Sequence, residues 1–390
     1  MAALAKAPWE VADVIRMVGT RFLDSLTRAQ QKVLNAIARC RTAALGGHRD
    51  QCVRCGYQEI KFHSCRNRHC PKCQVNAREK WLRRRRQELL PVGYFHIVFS
   101  VPHRLIPLMW QNKRILFSLL FQTTGSTLME VASDPQRLGA EIGVLCILHT
   151  WGQTLNRHPH IHCVVPGGGL SPDHTRWISS HPRFFLPVKV LSSVFRDKFV
   201  EGLKQAYLAQ ELRFYGDCQT LADPKVFGVF MDELSTQDWV VYAKPPFGGA
   251  EHVLQYLARY THRVAISNHR IVSVDDSHVT FRWKDYAHGS QQRTMALTSE
   301  KFLRLFLQHT LPKGLPRIRY FGWLANRRRG NLLPLCRTLL GQEPNPPAVP
   351  DEPAVAHCPH CHGEMCIIER LTAAQIHRAI YRMEYALDSS

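Results

Sequence analysis

The stretch Arg157-His158-Pro159-His160-Ile161-His162-Cys163-Val164-Val165 carries two histidines two residues apart and runs into the breakers Pro166, Gly167, Gly168 and Gly169. Alternate residues of a strand project from one face, so a strand over residues 160–165 puts His160 and His162 side by side. Upstream, residues 142–149 make a second apolar run ending in His149, and residues 151–159 supply loop chemistry between the two. Paired as an antiparallel hairpin, the runs bring His149 opposite His160 or His162, and opposed residues share a face. Three imidazoles converging there can hold a divalent ion and leave positions open for phosphate oxygens and water. The inference depends on register: a slip of one residue turns His149 to the other face and leaves Gln153 or His262 as the third ligand. His158, with Pro159 behind it, reads as a loop residue.

Outward from the hairpin, residues 94–101 alternate as a strand covered on both faces, residues 113–131 and 188–210 read as helices, and residues 239–243 as a further strand. After Pro245, Pro246, Gly248 and Gly249 a helix is expected over residues 250–263, which contains Tyr256 and Tyr260. Four apart on a helix, the two tyrosines lie on one face about a turn from each other. Such a pair by itself describes a core face; Arg259, His262 and Arg263 beside it make a phosphate-facing surface the better reading. A phenol with a pKa near ~10 needs positive charge or a base to act as a nucleophile.

Toward the N-terminus, residues 11–41 carry apolar positions at helical spacing, enough for two helices. Cys52-x-x-Cys55 and Cys70-x-x-Cys73 follow, two knuckles whose separation suits one closed, structural zinc site. His48, His63, Cys65 and His69 crowd the same window as further candidates, and Arg66 and Arg68 suit contacts to a DNA backbone. Residues 77–90 read as a basic helix with Arg83 to Arg86 in a row, closed by Pro91. Past the proline-rich stretch 341–356 comes a tail with Cys358-x-x-Cys361, His357, His360, His362 and Cys366, half a metal site taken alone. The expected domains are therefore residues 1–47 (helices), 48–90 (zinc region and basic helix), 91–340 (catalytic), 341–356 (linker) and 357–390 (tail).

The chain of 390 residues is 45% hydrophobic and carries 51 Lys and Arg against 31 Asp and Glu, a formal charge of +20. It can bury a large core, and the excess of positive charge asks for a polyanion, nucleic acid above all. No run approaches the ~18 apolar residues of a membrane span, and residues 1–10 lack the pattern of a secretory signal, so a cytoplasmic protein without a membrane partner is expected. The 13 cysteines, grouped among histidines, read as metal ligands rather than disulfides.

Taken together, His160-Ile161-His162, the downstream Tyr256-x-x-x-Tyr260, the segments 256–270, 281–286 and 319–326, and the cysteine block ahead of them resemble the two-tyrosine HUH transposases of rolling-circle insertion sequences. The resemblance spans residues 39–329 and fades past Arg337. It implies an α+β fold, an antiparallel HUH endonuclease sheet flanked by helices and preceded by a small zinc-binding domain. It further implies magnesium or manganese at His160 and His162, zinc at the cysteines, and Tyr256 and Tyr260 as nucleophiles, with single-stranded element ends and target DNA as partners. Three histidines, His149 included, resemble the relaxases of the wider group. A plasmid replication initiator or relaxase is the competing enzyme, and a zinc-finger DNA-binding regulator the competing non-enzyme. Oligomeric state is open.

Overall fold

The hairpin forms with the register that gathers the histidines. Gly143–Trp151 and Arg157–Pro166 are antiparallel strands in which His149 stands opposite His160, Ile147 opposite His162 and Leu145 opposite Val164. Both strands reach further into the turn than the sequence suggests, so His158 lies within a strand rather than a loop. The register shifts by one between His149 and Trp151, where His158 and Pro159 together oppose Thr150, and Trp151 then pairs with Arg157. The computed structural model describes residues 8–18, 25–244, 252, 264–275, 277–286, 288–342 and 356–378. The chain divides into two compact units, residues 78–261 with 311–345, and residues 1–77 with 262–310 and 346–390.

The first of these units is built on a five-stranded, wholly antiparallel sheet. Its strand order is Ile318–Gly322, Gly143–Trp151, Arg157–Pro166, Tyr94–Ser100, Val241–Lys244. Strand parity gives it two different faces. Phe95, Ile97, Phe99, Val144, Cys146, Leu148, Ile161, Cys163 and Val165 pack into a core with Leu116, Phe117, Leu120 and Phe121 of the helix Lys113–Ser133 and Phe195 and Phe199 of the helix Val188–Leu208. Lys113–Ser133 is apolar and long enough to cross a membrane by length and composition, yet 61% of that apolar window is buried inside the protein, and the burial removes its apolar face from water. The opposite face carries Tyr94, Leu145, Ile147 and Val164 at one end, packed with Trp81, Leu89, Ile318 and Tyr320, and the histidines at the other. The triple glycine runs into a short pair, Gly168–Leu170 with Trp177–Ser179. At Gly168, φ is +147° and a side chain would run into the Ile178 carbonyl.

The other unit starts with helices Val11–Val18 and Arg28–Ala38, the second begun by a capping box in which Thr27 and Gln30 satisfy each other's backbone N–H groups. Its four-stranded sheet runs Ala356–His357, Glu364–Leu371, Gly47–Cys52, Gln58–Phe62. Ile271–Val274, His278–Asp285 and Gln291–Thr298 form a three-stranded sheet, on which Phe281 meets Phe302 of the helix Ser299–Leu307. These compact units cut across the expected bounds 91–340 and 357–390: residues 262–310 cluster with residues 1–77, and Glu364–Leu371 pairs along the whole of Gly47–Cys52. The basic helix also starts earlier, spanning Pro71–Arg86 and including Cys73.

Candidate metal centre

His149, His160 and His162 lie within the sheet face away from the helical core and are 2%, 8% and 7% exposed. One ring nitrogen from each lies within 4.8 Å of the others. His160 Nε2 and His162 Nε2 are 3.0 Å apart, about the cis separation of two nitrogens each ~2.1 Å from one octahedral ion. His160 Nδ1 is 2.7 Å from the His158 carbonyl. An oxygen there must accept, so the ring carries its proton on Nδ1 and turns the Nε2 lone pair toward His162. This is the orientation a ligand imidazole needs, and it gives His158 a part played by its backbone.

Burial pushes these imidazoles down: His160 falls to about 3, with the charge of His158 as the second cause, and His162 falls well below its ordinary value, helped by His149 and His160. Near neutral pH both rings are uncharged donors, as metal ligation requires. Two neutral nitrogens facing each other at 3.0 Å are bridged either by an N–H donated from one ring or by a shared cation.

Sequence reading missed His96. It projects from Tyr94–Ser100 on the histidine face, and its Nε2 is 2.8 Å from His162 Nδ1; the rings stack with centroids 5.0 Å apart. Burial, and then the charge of Lys244, lower it to about 4. If His162 uses Nε2 as ligand, its Nδ1–H donates to His96, which fixes tautomer and ring plane. The signal was the strand period itself, since His96 alternates in phase with Tyr94 and Val98. Trp151, read as loop, stacks on His149 at 4.8 Å, and the Arg317 guanidinium sits 5.7 Å from the Trp151 ring centroid. Tyr256, Arg259, Tyr260, His262 and Arg263 lie outside the described residues. The third histidine of the cluster is His149.

With this geometry in place, comparison with known proteins gives the family. A family described as "Putative transposase" matches residues 143–331, and one described as "Transposase zinc-binding domain" matches residues 14–101. The "Putative transposase y4qJ" of Sinorhizobium fredii is 48% identical over 383 residues, covering 94% of this chain and 96% of its own. The chain belongs to this transposase family. The transposase of insertion sequence element IS801 from Pseudomonas savastanoi pv. phaseolicola is 27% identical over 308 residues, 76% of this chain and 70% of the relative. No solved structure matches.

The cysteines of the transposase form two quartets, and neither is the set expected. Cys52 and Cys55 do not meet Cys70 and Cys73. Cys70 and Cys73 gather with Cys40 and Cys65, and Cys52 and Cys55 with Cys358 and Cys361, the four sulfurs of each group lying within 4.8 Å of one another. The reason is the length of a hairpin. Cys52 and Cys55 occupy the turn joining Gly47–Cys52 to Gln58–Phe62, whereas Cys40 precedes and Cys65 follows its open end. Five strand residues at ~3.3 Å each separate the two ends by roughly 16 Å. Cys65 was among the extra candidates; Cys40 was overlooked because it closes a helix and belongs to no Cys-x-x-Cys pair. In the first quartet Cys40 Sγ and Cys65 Sγ are each 3.6 Å from Cys73 Sγ. The Cys65 and Cys70 thiols lower Cys40, which in turn raises Cys70, so the quartet shares negative charge that a cation would neutralise. His48, His63 and His69 are outside both groups.

Arg66 is exposed and lines a cavity of about 450 Å³ together with Arg41, His48, Lys61, His63 and Asn76. Lys61 is engaged by Asp50 and Glu59 at 2.9 and 2.6 Å, so the arginines carry the outward charge there. Arg68 is half-buried and its guanidinium is lowered by that burial.

Proposed function

We propose that this transposase cuts and rejoins single DNA strands through a tyrosine, moving its own element by a rolling-circle-like route. The observation that carries the reading is the opposition of His149 to His160 across the hairpin, which assembles three buried imidazoles on one face. Three imidazole nitrogens can hold a divalent ion, magnesium or manganese by the resemblance, and leave the remaining positions to phosphate oxygens and water. When bound, such an ion stabilises charge on the non-bridging oxygens of the scissile phosphate.

In this reading the Tyr256 or Tyr260 phenol oxygen attacks phosphorus, the bond to the 3′ oxygen breaks, and the phenolic proton leaves while the 3′ oxygen gains one. A 5′-phosphotyrosine and a free 3′-hydroxyl result, the bond energy is kept, and the strand can be rejoined elsewhere without ATP. The second tyrosine serves the coupled transfer. Arg66, Arg68, Arg259 and Arg263 bind DNA phosphates, with exposed Arg66 better placed than half-buried Arg68. The zinc-binding domain contributes folding and DNA contact rather than chemistry, since a four-thiolate site is closed.

The test is incubation with single-stranded DNA carrying the element ends, with magnesium or manganese or with chelator, followed by denaturing electrophoresis. A metal-dependent covalent adduct is expected, lost when Tyr256→Phe and Tyr260→Phe are combined. An initiating tyrosine is revealed if one single variant suffices. A wild type that binds the ends but never forms the adduct refutes the nuclease reading in favour of a DNA-binding regulator.

A further inference from the structure

We infer that Cys52, Cys55, Cys358 and Cys361 form a second zinc site that clasps the far C-terminal segment onto the N-terminal sheet. The quartet joins residues some three hundred positions apart: Cys52 Sγ is 3.4 Å from Cys361 Sγ, and Cys55 Sγ is 3.6 Å from Cys358 Sγ. Four sulfurs each ~2.3 Å from a tetrahedral zinc stand about 3.8 Å apart. A disulfide would need ~2.05 Å. The observed spacing therefore suits a shared ion.

Two further features mark the quartet as built for an ion. Each pair sits in a tight turn between antiparallel strands, and the turns repeat one another. Gly56 N–H donates to the Cys52 carbonyl at 3.1 Å, and His362 N–H to the Cys358 carbonyl at 3.0 Å, with φ of +73° at Gly56 and +57° at His362. In the first turn the Arg54 and Cys55 N–H groups point at Cys52 Sγ, at 3.4 and 3.5 Å. Amides donating to sulfur favour the thiolate, the form that binds metal. Gly363 is the second feature. A Cβ there would lie 3.1 Å from Cys52 Sγ and 3.3 Å from Cys361 Sγ, so the close approach of the two turns depends on a residue without a side chain.

Strand pairing brings the two turns together. Cys52 stands opposite Met365, Val53 N–H donates to the Glu364 carbonyl at 3.0 Å, and Cys52, Cys358 and Met365 pack in a small apolar cluster. That cluster is too small to anchor by itself an eight-residue strand whose residues 366–370 are exposed between buried Met365 and Leu371. Soft thiolate donors in a closed set of four select zinc, and its binding energy becomes docking energy for the C-terminal segment.

The test counts metal and needs no DNA, so its outcome is independent of the nuclease reading. Full-length protein purified in reductant is analysed for zinc by mass spectrometry, and amide exchange is followed along residues 356–371. Two zinc ions per chain are expected in the wild type and in Cys366→Ser, an exposed thiol outside the quartet, and one in Cys358→Ser combined with Cys361→Ser. In that double variant Glu364–Leu371 should lose protection while Lys113–Ser133 keeps it. One zinc in the wild type, or two in the double variant, overturns the proposal. Should the double variant lose protection throughout, Gly363→Ala decides: crowding the sulfurs should speed release of one of the two zinc ions to a chelator at least tenfold, and release unchanged from wild type refutes the site.

Discussion

Replacing His96 by phenylalanine keeps a planar ring in the sheet and removes the one side-chain atom set 2.8 Å from His162 Nδ1. His96 is 3% exposed, so water cannot easily take its place, and His162 loses the Nδ1 contact that sets its tautomer and ring plane. Loss of such an outer partner lowers metal affinity about 10- to 100-fold, roughly 1.4–2.8 kcal/mol. The upper part of that range is expected, because His162 is itself buried and an unmet N–H there costs about 1–3 kcal/mol. Manganese titration by calorimetry, or by the paramagnetic signal of the free ion, measures the affinity directly. His96→Gln, whose side-chain oxygen can accept from Nδ1–H, should recover much of the loss, which an effect of packing alone would not allow. Equal manganese affinity in wild type and His96→Phe, with both proteins folded, refutes the argument that His96 orients His162.

The metal-free protein should lose stability as pH falls below about 6.5, the ordinary imidazole value. In the folded chain His96 and His160 are held down to about 4 and about 3. Between 6.5 and those values the unfolded chain binds protons that the native state refuses, so stability declines with falling pH, while above 7 these groups contribute no slope. A melting temperature that does not drop between pH 7 and pH 5 contradicts this. Gly322→Ala should be severely destabilising, since φ is +61° and the added carbon would meet the Ile142 carbonyl and Met129. A cost of at least ~3 kcal/mol corresponds to a fall in melting temperature of roughly 6–12 °C; a scanning-calorimetry Tm equal to that of the wild type would show that the Ile318–Gly322 edge gives way easily.

The sequence by itself determined the local pattern of the histidine face. Its period of two placed His160 and His162 together, and the polar turn between two apolar runs made an antiparallel hairpin the natural pairing, with His149 opposite His160 or His162; the folded register selects His160. The long helices Lys113–Ser133 and Val188–Leu208 were legible for the same reason, with their ends shifted by two residues. Tertiary structure alone decided which cysteines share a site, that His96 backs His162, and that residues 262–310 leave the unit whose sheet they interrupt in sequence. Each of these depends on contacts between segments far apart along the chain. Periodicity and turn chemistry act over a few residues, whereas the pairing of Gly47–Cys52 with Glu364–Leu371 is selected by the edge each strand leaves open and by the apolar surface each must cover, and neither exists until the chain has folded.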